Sequence, residues 1–228
     1  MPALMVAPSR GMVLLSALLW LLLLTTTVLG VSRLLRDEQR IGSNLDDALL
    51  AFQLAEAGLR AGEAALSTIP VLPQLAGMSD STLAGPDSPF TLSCRQPRNP
   101  APWQQGLCLS AALAGQENAP PWLRRDETGL TLLHPCGAAR RVTLQPVSAS
   151  HCPGVTPGPW YWADPHYLVE LLDPRYPTSK EPGILLRVTA RGWGKQAGSV
   201  ATVQSHVLLQ PLPGNGWQLQ RLSWRVLP

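Results

Sequence analysis

The chain has 228 residues, a net charge of +3 and only 14% charged residues. That length allows one domain or two small ones, and so mild a charge, with arginine supplying 16 of the 18 basic residues, points away from a polyanion-binding tail. The 23 prolines and 19 glycines call for many turns.

From Gly11 to Ser32 there is no charged residue, and the core from Met12 to Leu29 is a nearly unbroken run of leucine, valine, alanine and threonine. At roughly 20 residues such a run is long enough to cross a bilayer as a helix. Past Arg33 the apolar positions continue with a new spacing: Leu34, Ile41, Leu45, Ala48, Phe52, Ala55, Leu59, Gly62 and Leu66, with one gap of seven and then gaps of four and three. That is a helical seam. Arg36, Glu38, Asp46, Gln53, Arg60 and Glu63 lie mainly off it, as an amphipathic helix in water requires. No proline falls between Pro8 and Pro70. Gly42 and Gly58 weaken the helix by up to about 1 kcal/mol each. At about 1.5 Å per residue the predicted helix over 12–66 is roughly 80 Å long. Two uses suit it, a signal anchor with a coiled-coil stalk, or a subunit stored in lipid and later packed against others.

The segment Met1 to Gly11 ends Ser9-Arg10-Gly11 and lacks the small-residue cleavage region that follows the apolar core of a secretory signal. Arg10-Gly11 before Met12, the apolar run, and Ala51-Phe-Gln-Leu-Ala-Glu-Ala-Gly-Leu-Arg-Ala-Gly-Glu-Ala-Ala65 together resemble the amino-terminal region of the PilX group of type IV pilus minor pilins. The resemblance implies cleavage by a prepilin peptidase after Gly11, a mature chain beginning at Met12, and an assembly interface along Ser16, Leu34, Ile41, Leu45, Phe52 and Leu59. Major pilins carry a glutamate at the fifth mature position, which here is Ser16. A carboxylate in hydrocarbon costs about 2.5 to 3.5 kcal/mol even on a lenient scale, so it is kept for a partner charge. Ser16 cannot make that ion pair, which fits a place at or near a filament tip and equally a position that is simply lenient.

Arg33, Arg36 and Arg40 follow the span while only Arg10 precedes it, so the count of basic residues runs against an amino-terminus-in topology. The four cysteines, Cys94, Cys108, Cys136 and Cys152, argue the other way, because an even number suits two disulfides in an oxidising periplasm. Of three connectivities the preferred one joins Cys94 to Cys108 and Cys136 to Cys152. His134 and His151 lie close by, but no C-x-x-C knuckle occurs and the spacings of 14, 28 and 16 match no common zinc module, so no metal is expected.

From Thr68 to Pro89 prolines and glycines end the helix. Phe90 to Cys94 reads as a short strand, Trp103 to Gln116 as a helical turn around Leu107, Leu109, Ala112 and Leu113, and Leu130–Leu133 with Arg141–Leu144 as a hairpin through Pro135-Cys136-Gly137. Pro157-Gly158-Pro159-Trp160-Tyr161-Trp162 is an aromatic loop, fit either to cap a small core or to meet a partner. The last third is plainer. Tyr167–Leu172, Ile184–Ala190, Val200–Gln210 and Trp217–Val226 are predicted strands, and Pro213-Gly214-Asn215-Gly216 places an Asn-Gly turn between the last two. The apolar face of this meander needs a cover, and the helix from Leu34 to Leu66 is the amphipathic element available. The resemblance returns at Leu185–Gly194 and Ala201–Ser205, which look like the group's strand, Ala-Arg-Gly turn and following strand.

No G-x-S-x-G, H-E-x-x-H or P-loop occurs, and Gly192-x-Gly194 lacks the third glycine of a nucleotide fingerprint. His134, His151, His166 and His206 stand apart, and Asp164-Pro-His166 and Asp173-Pro-Arg175 read as turn initiators. No enzyme and no cofactor are expected. The basic pairs Arg124-Arg125, Arg140-Arg141 and Arg187 with Arg191 are too sparse for a nucleic-acid stripe, so no nucleic acid is expected.

The sequence therefore predicts an α+β, pilin-like chain: a leader over 1–11, a long helix over 12–66 with a membrane span over 12–32, and a periplasmic head over 67–228. The resemblance implies a non-enzymatic minor pilin of the inner membrane and then the pilus, acting in initiation of type IV pili and so in twitching motility. Its implied partners are other minor pilins in a priming or tip complex, the assembly platform, the prepilin peptidase, the membrane and, as a further candidate, a tip adhesin. Two alternatives stand beside it, a type II secretion pseudopilin and a non-polymerising anchored periplasmic domain.

Overall fold

The absence of proline between Pro8 and Pro70 lets one helix, α1, run over Arg10–Leu66. The computed structural model describes residues 10–95, 102–115, 119–126, 129–144, 150–151, 154–155, 160–179, 181–212 and 216–228. Two units divide inside α1, between Asp46 and Asp47. In the first, side chains from Met12 to Asp46 are exposed except for half-buried Ser32, and the helix is apolar and long enough to cross a membrane. In the second, burial begins at Asp47. The helix stops at Leu66 because Pro70 lacks an N–H and biases the residue before it away from helical angles.

Beyond α1, Ile69 is buried, as are Leu72 and Leu75 of a short 3-10 segment (Leu72–Gly77), and the single helical turn α2 (Asp80–Leu83) starts where the Ser79 hydroxyl accepts the Thr82 N–H at 3.2 Å. The strands are β1 (Leu107–Leu109), β2 (Arg140–Arg141), β3 (Ser150–His151), β4 (Gly154–Val155), β5 (His166–Tyr176), β6 (Gly183–Trp193), β7 (Val200–Leu212) and β8 (Gly216–Leu227). β3 and β4 form a small separate pair. The others make one sheet in the order β1-β5-β6-β7-β8, the last four antiparallel neighbours. β1 runs parallel to β5 at Leu107↔Val169, and β2 antiparallel at Arg140↔Tyr167, so the two share the outer edge of β5.

Alternation assigns the faces. Tyr167, Val169, Leu171, Leu186, Val188, Ala190, Val203 and Val207 join Ala55, Leu59 and Leu66 of α1 in the main core. Burial of a leucine such as Leu59 or Leu66 contributes about 1.5–3 kcal/mol. The opposite face carries a second cluster, Leu168 with Leu132, Leu133, Ala138, Ala139 and the Cys94–Cys108 disulfide. Helix and sheet approach closely because the contact is built from small residues. A Cβ on Gly62 would lie 2.7 Å from Val188 Cγ1, and one on Gly192 would run into the α1 backbone at Ala51, Leu54 and Ala55. Gly58 sits over Pro165 and Ala190, so the glycine that costs helix propensity belongs to this contact.

Several sequence expectations are corrected. Leu107–Leu109 is a strand and not a helical turn, because three apolar residues with no helical continuation gain backbone partners on β5. Phe90–Cys94 forms only an isolated bridge, Thr91 to Cys108. The 130–144 segment makes no internal hairpin: Thr131 bridges Arg125, and Arg140–Arg141 pairs with β5. Ala190-Arg191-Gly192 is no turn but part of β6, and the chain reverses at 194–199, where the Gly194 N–H donates to Ser199 O at 2.7 Å. The expected turn residues 213–215 lie outside the described residues, as do 96–101 and 156–159.

Candidate assembly surface

Over residues 12–29 of α1 the hydroxyl side chains are satisfied within the helix. Ser16 Oγ donates to Val13 O at 2.9 Å, and Thr25, Thr26 and Thr27 donate to the carbonyls of Leu22, Leu23 and Leu24 at 2.8–3.0 Å. A hydroxyl bonded to its own helix tolerates hydrocarbon, where a free one costs several kcal/mol. Leu34, Ile41 and Leu45, on the predicted seam, are all at least 59% exposed. Phe52 and Leu59 are placed differently. Leu59 is fully buried in the core of its own head, and Phe52 is half-buried with Trp224 edge-on at 6.3 Å. The exposed part of the seam thus ends before them, because strands of the head cover Phe52 and Leu59. Gly11 and Met12 stand in the first turns of α1, and residues 1–9 lie outside the described residues.

Where α1 enters the second unit, Asp47 is buried against the 194–199 turn. Its carboxylate accepts the Lys195 N–H and packs on Gly194. A hydrogen bond from the Ser199 hydroxyl, joined by that of Lys195, holds its carboxyl below the ordinary carboxylate range despite burial. Further along, Glu63 accepts Ser205 Oγ at 2.6 Å and the fork of Arg221, and Glu56 accepts Trp224 Nε1 at 2.7 Å. These contacts tie β7 and β8 to α1. Sequence spacing offered no sign of them, because the partners are separated by about 140–170 positions.

On the opposite face of the sheet Glu170 is 3% exposed and meets two arginines. Arg187 Nε donates to it at 2.6 Å, and Arg124 lies 3.8 Å away while donating to the carbonyls of Leu92 and Leu109. Trp122 covers the Arg187 guanidinium at 4.6 Å. Burial raises the Glu170 carboxyl, with Arg187 and then Arg124 pulling it back. Arg141 pairs with Asp164 at 3.9 Å. Three of the basic residues weighed for nucleic acid are therefore engaged with carboxylates of their own chain.

The aromatic loop divides. Trp160 is 70% exposed, while Tyr161 is buried and donates to Asp164 at 2.9 Å. Trp162 lies between His134 and Trp193, at 6.3 and 6.0 Å, and Trp193 meets buried His166 edge-on at 5.5 Å. Cys94 and Cys108 are joined, and Cys136 is also disulfide-bonded; its expected partner, Cys152, lies outside the described residues. His151 pairs with Gly154 in the small sheet.

An apolar helix of membrane-spanning length, whose residues 47–66 pack on an antiparallel meander, defines a pilin-like, α+β subunit. Residues 77–209, more than half of the chain, match the family model described as type IV pilus assembly protein PilX, C-terminal. The chain belongs to the PilX family of type IV pilus assembly proteins, whose members are structural assembly components acting with other pilus components. The matched stretch begins after α1, so the family and the apolar helix are independent observations. No curated protein and no solved structure matches the chain.

Proposed function

We propose that the chain is a minor pilin that enters a priming or tip complex of the type IV pilus. Residues 12–32 hold it in the inner membrane, the head stands in the periplasm, and a prepilin peptidase cuts between Gly11 and Met12. The supporting observation is the exposed row Ser16, Trp20, Thr27, Leu34, Ile41 and Leu45 on one side of α1, a helix whose charge-free part could not stay bare in water. Extraction from lipid and burial against neighbouring helices must then be coupled, with work supplied by an assembly motor outside this chain. Ser16 spends its hydroxyl on Val13 O and offers no carboxylate to a neighbour's amino terminus, which fits a subunit with no such neighbour, as at a tip. The other minor pilins, the assembly platform and the prepilin peptidase are the partners this reading requires, and a tip adhesin is a further candidate.

Sheared fibres from cells making the chain are expected to contain it at a low ratio to the major subunit, and its deletion to reduce fibre number and twitching. Absence from the fibres, together with unchanged fibre number and motility after deletion, contradicts the reading. Co-isolation with secretion components and not with pilus components supports the pseudopilin alternative.

A further inference from the structure

The two edges of the main sheet are treated differently. The outer edge of β5 is shared by β1 and β2, whereas β8 pairs with β7 from Thr202↔Leu227 to Leu212↔Gly216 and has no strand on its other side among the described residues. β8 is 12 residues long and contains neither proline nor lysine, two of the usual protections of an open edge. It carries one irregularity, between Arg221 and Ser223. About half of the N–H and C=O groups of an antiparallel edge strand point away from its neighbour, ready for another extended chain. Leu219, Leu222, Trp224 and Val226 are 38–51% exposed along it.

Charge narrows the occupant. On the α1 side Arg221 is neutralised by Glu63. On the other side Arg225 forks onto the neutral Gln204 Oε1 at 2.9 and 2.7 Å, and Gln204 donates onward to Thr189 Oγ1 at 3.0 Å. Arg191 donates to Thr202 Oγ1 at 3.0 Å. Neither Arg225 of β8 nor Arg191 of β6 has a carboxylate within salt-bridge distance among the described residues, so Arg225 stands uncompensated on the edge strand and Arg191 two strands behind it on the same side. Burial, with Arg187 and Arg225 nearby, also disfavours a proton on His206, which is bonded to Ser223 at 2.8 Å. A second copy fits poorly, because β8 holds two arginines and no acidic residue, and like charges across a strand pair repel.

We infer that β8 accepts an added β-strand from another subunit of the pilus, one that places a carboxylate across from Arg225. Backbone hydrogen bonds along the edge supply attachment, and the carboxylate sets partner choice. The identity of the donor as a pilus subunit rests on the function proposed above; the edge and its charge do not.

Labelled extended peptides of about ten residues, alternating valine or threonine with either glutamate or lysine, are titrated by fluorescence anisotropy into the full chain in detergent at low salt. The glutamate peptide is expected to bind about tenfold more tightly than the lysine peptide. Methylating alternate amides of the glutamate peptide is expected to abolish binding, and Arg225→Glu to reverse the preference. Arg225→Gln, which keeps a polar side chain on this exposed position, is expected to remove the preference without changing the melting temperature. Failure of the glutamate peptide to bind, or binding that survives amide methylation, overturns the inference. Recovery of the chain from sheared fibres is read separately, so a failed peptide titration leaves the pilus reading standing.

Discussion

Replacing Gly192 by valine is expected to destabilise the head by about 3 kcal/mol or more, at or beyond the upper end of overpacking costs. The clash is with backbone, not with the end of a flexible side chain: the new Cβ would overlap Ala55 N and Ala51 O. Relief requires α1 to lift from β6, and that exposes Leu59, Val188 and Ala190, which are fully buried. Denaturant unfolding of the full chain in detergent, followed by near-ultraviolet dichroism of the tryptophans, measures the loss. Gly198→Ala is the control, since nothing lies within 4 Å of its Cβ position, and its effect should stay within about 0.5 kcal/mol. Equal stabilities for the two variants would mean that α1 does not dock through this strand.

The head is also expected to lose stability as pH falls from about 6.5 toward 4. His166 is 3% exposed, and burial lowers its pKa from the ordinary 6.5 to about 4, although hydrogen bonds to the carbonyls of Asp164 and Pro135 favour the proton. Between those values the unfolded chain binds a proton that the folded chain refuses. Unfolding is therefore favoured by lowering pH, by up to about 3 kcal/mol once pH reaches the folded value. His134 and His206 are lowered as well and add in the same direction, whereas raised Glu170 opposes them. Asp47 acts later, its contribution being lost only as pH falls below the ordinary carboxylate value of 3.8. Comparing the pH dependence of unfolding with that of His166→Asn isolates the buried imidazole. The variant should show a shallower slope between pH 6.5 and 4, and an unchanged slope would place the effect elsewhere.

The long helix and the four-stranded meander were legible because each repeats one spacing over many residues: three and four in α1, two in β6, where Leu186, Val188 and Ala190 alternate with Arg187, Thr189 and Arg191. The middle was not, because its structure is set by partners far along the chain. Leu107–Leu109 becomes a strand only when β5, some sixty residues later, offers an edge. Ala190-Arg191-Gly192 has turn composition, yet Gly192 is there because a helix backbone lies on it. The same holds for Gly58, which local propensity scores as a weakness and packing scores as a fit. On the proposed assembly surface Leu34, Ile41 and Leu45 are exposed, but the spacing that selects them also selects Leu59, and only the fold distinguishes an exposed seam from one covered by the chain's own sheet. The Glu63–Arg221 and Glu170–Arg187 pairs left no local trace at all.

The proposed pilin mechanism depends on α1 being released for assembly at a defined residue. The mass of the amino-terminal peptide of the chain recovered from cells tests this directly. A peptide beginning at Met12, methylated on its amino group, is the predicted result. A chain that retains Met1, or is cut after the apolar run, would contradict it.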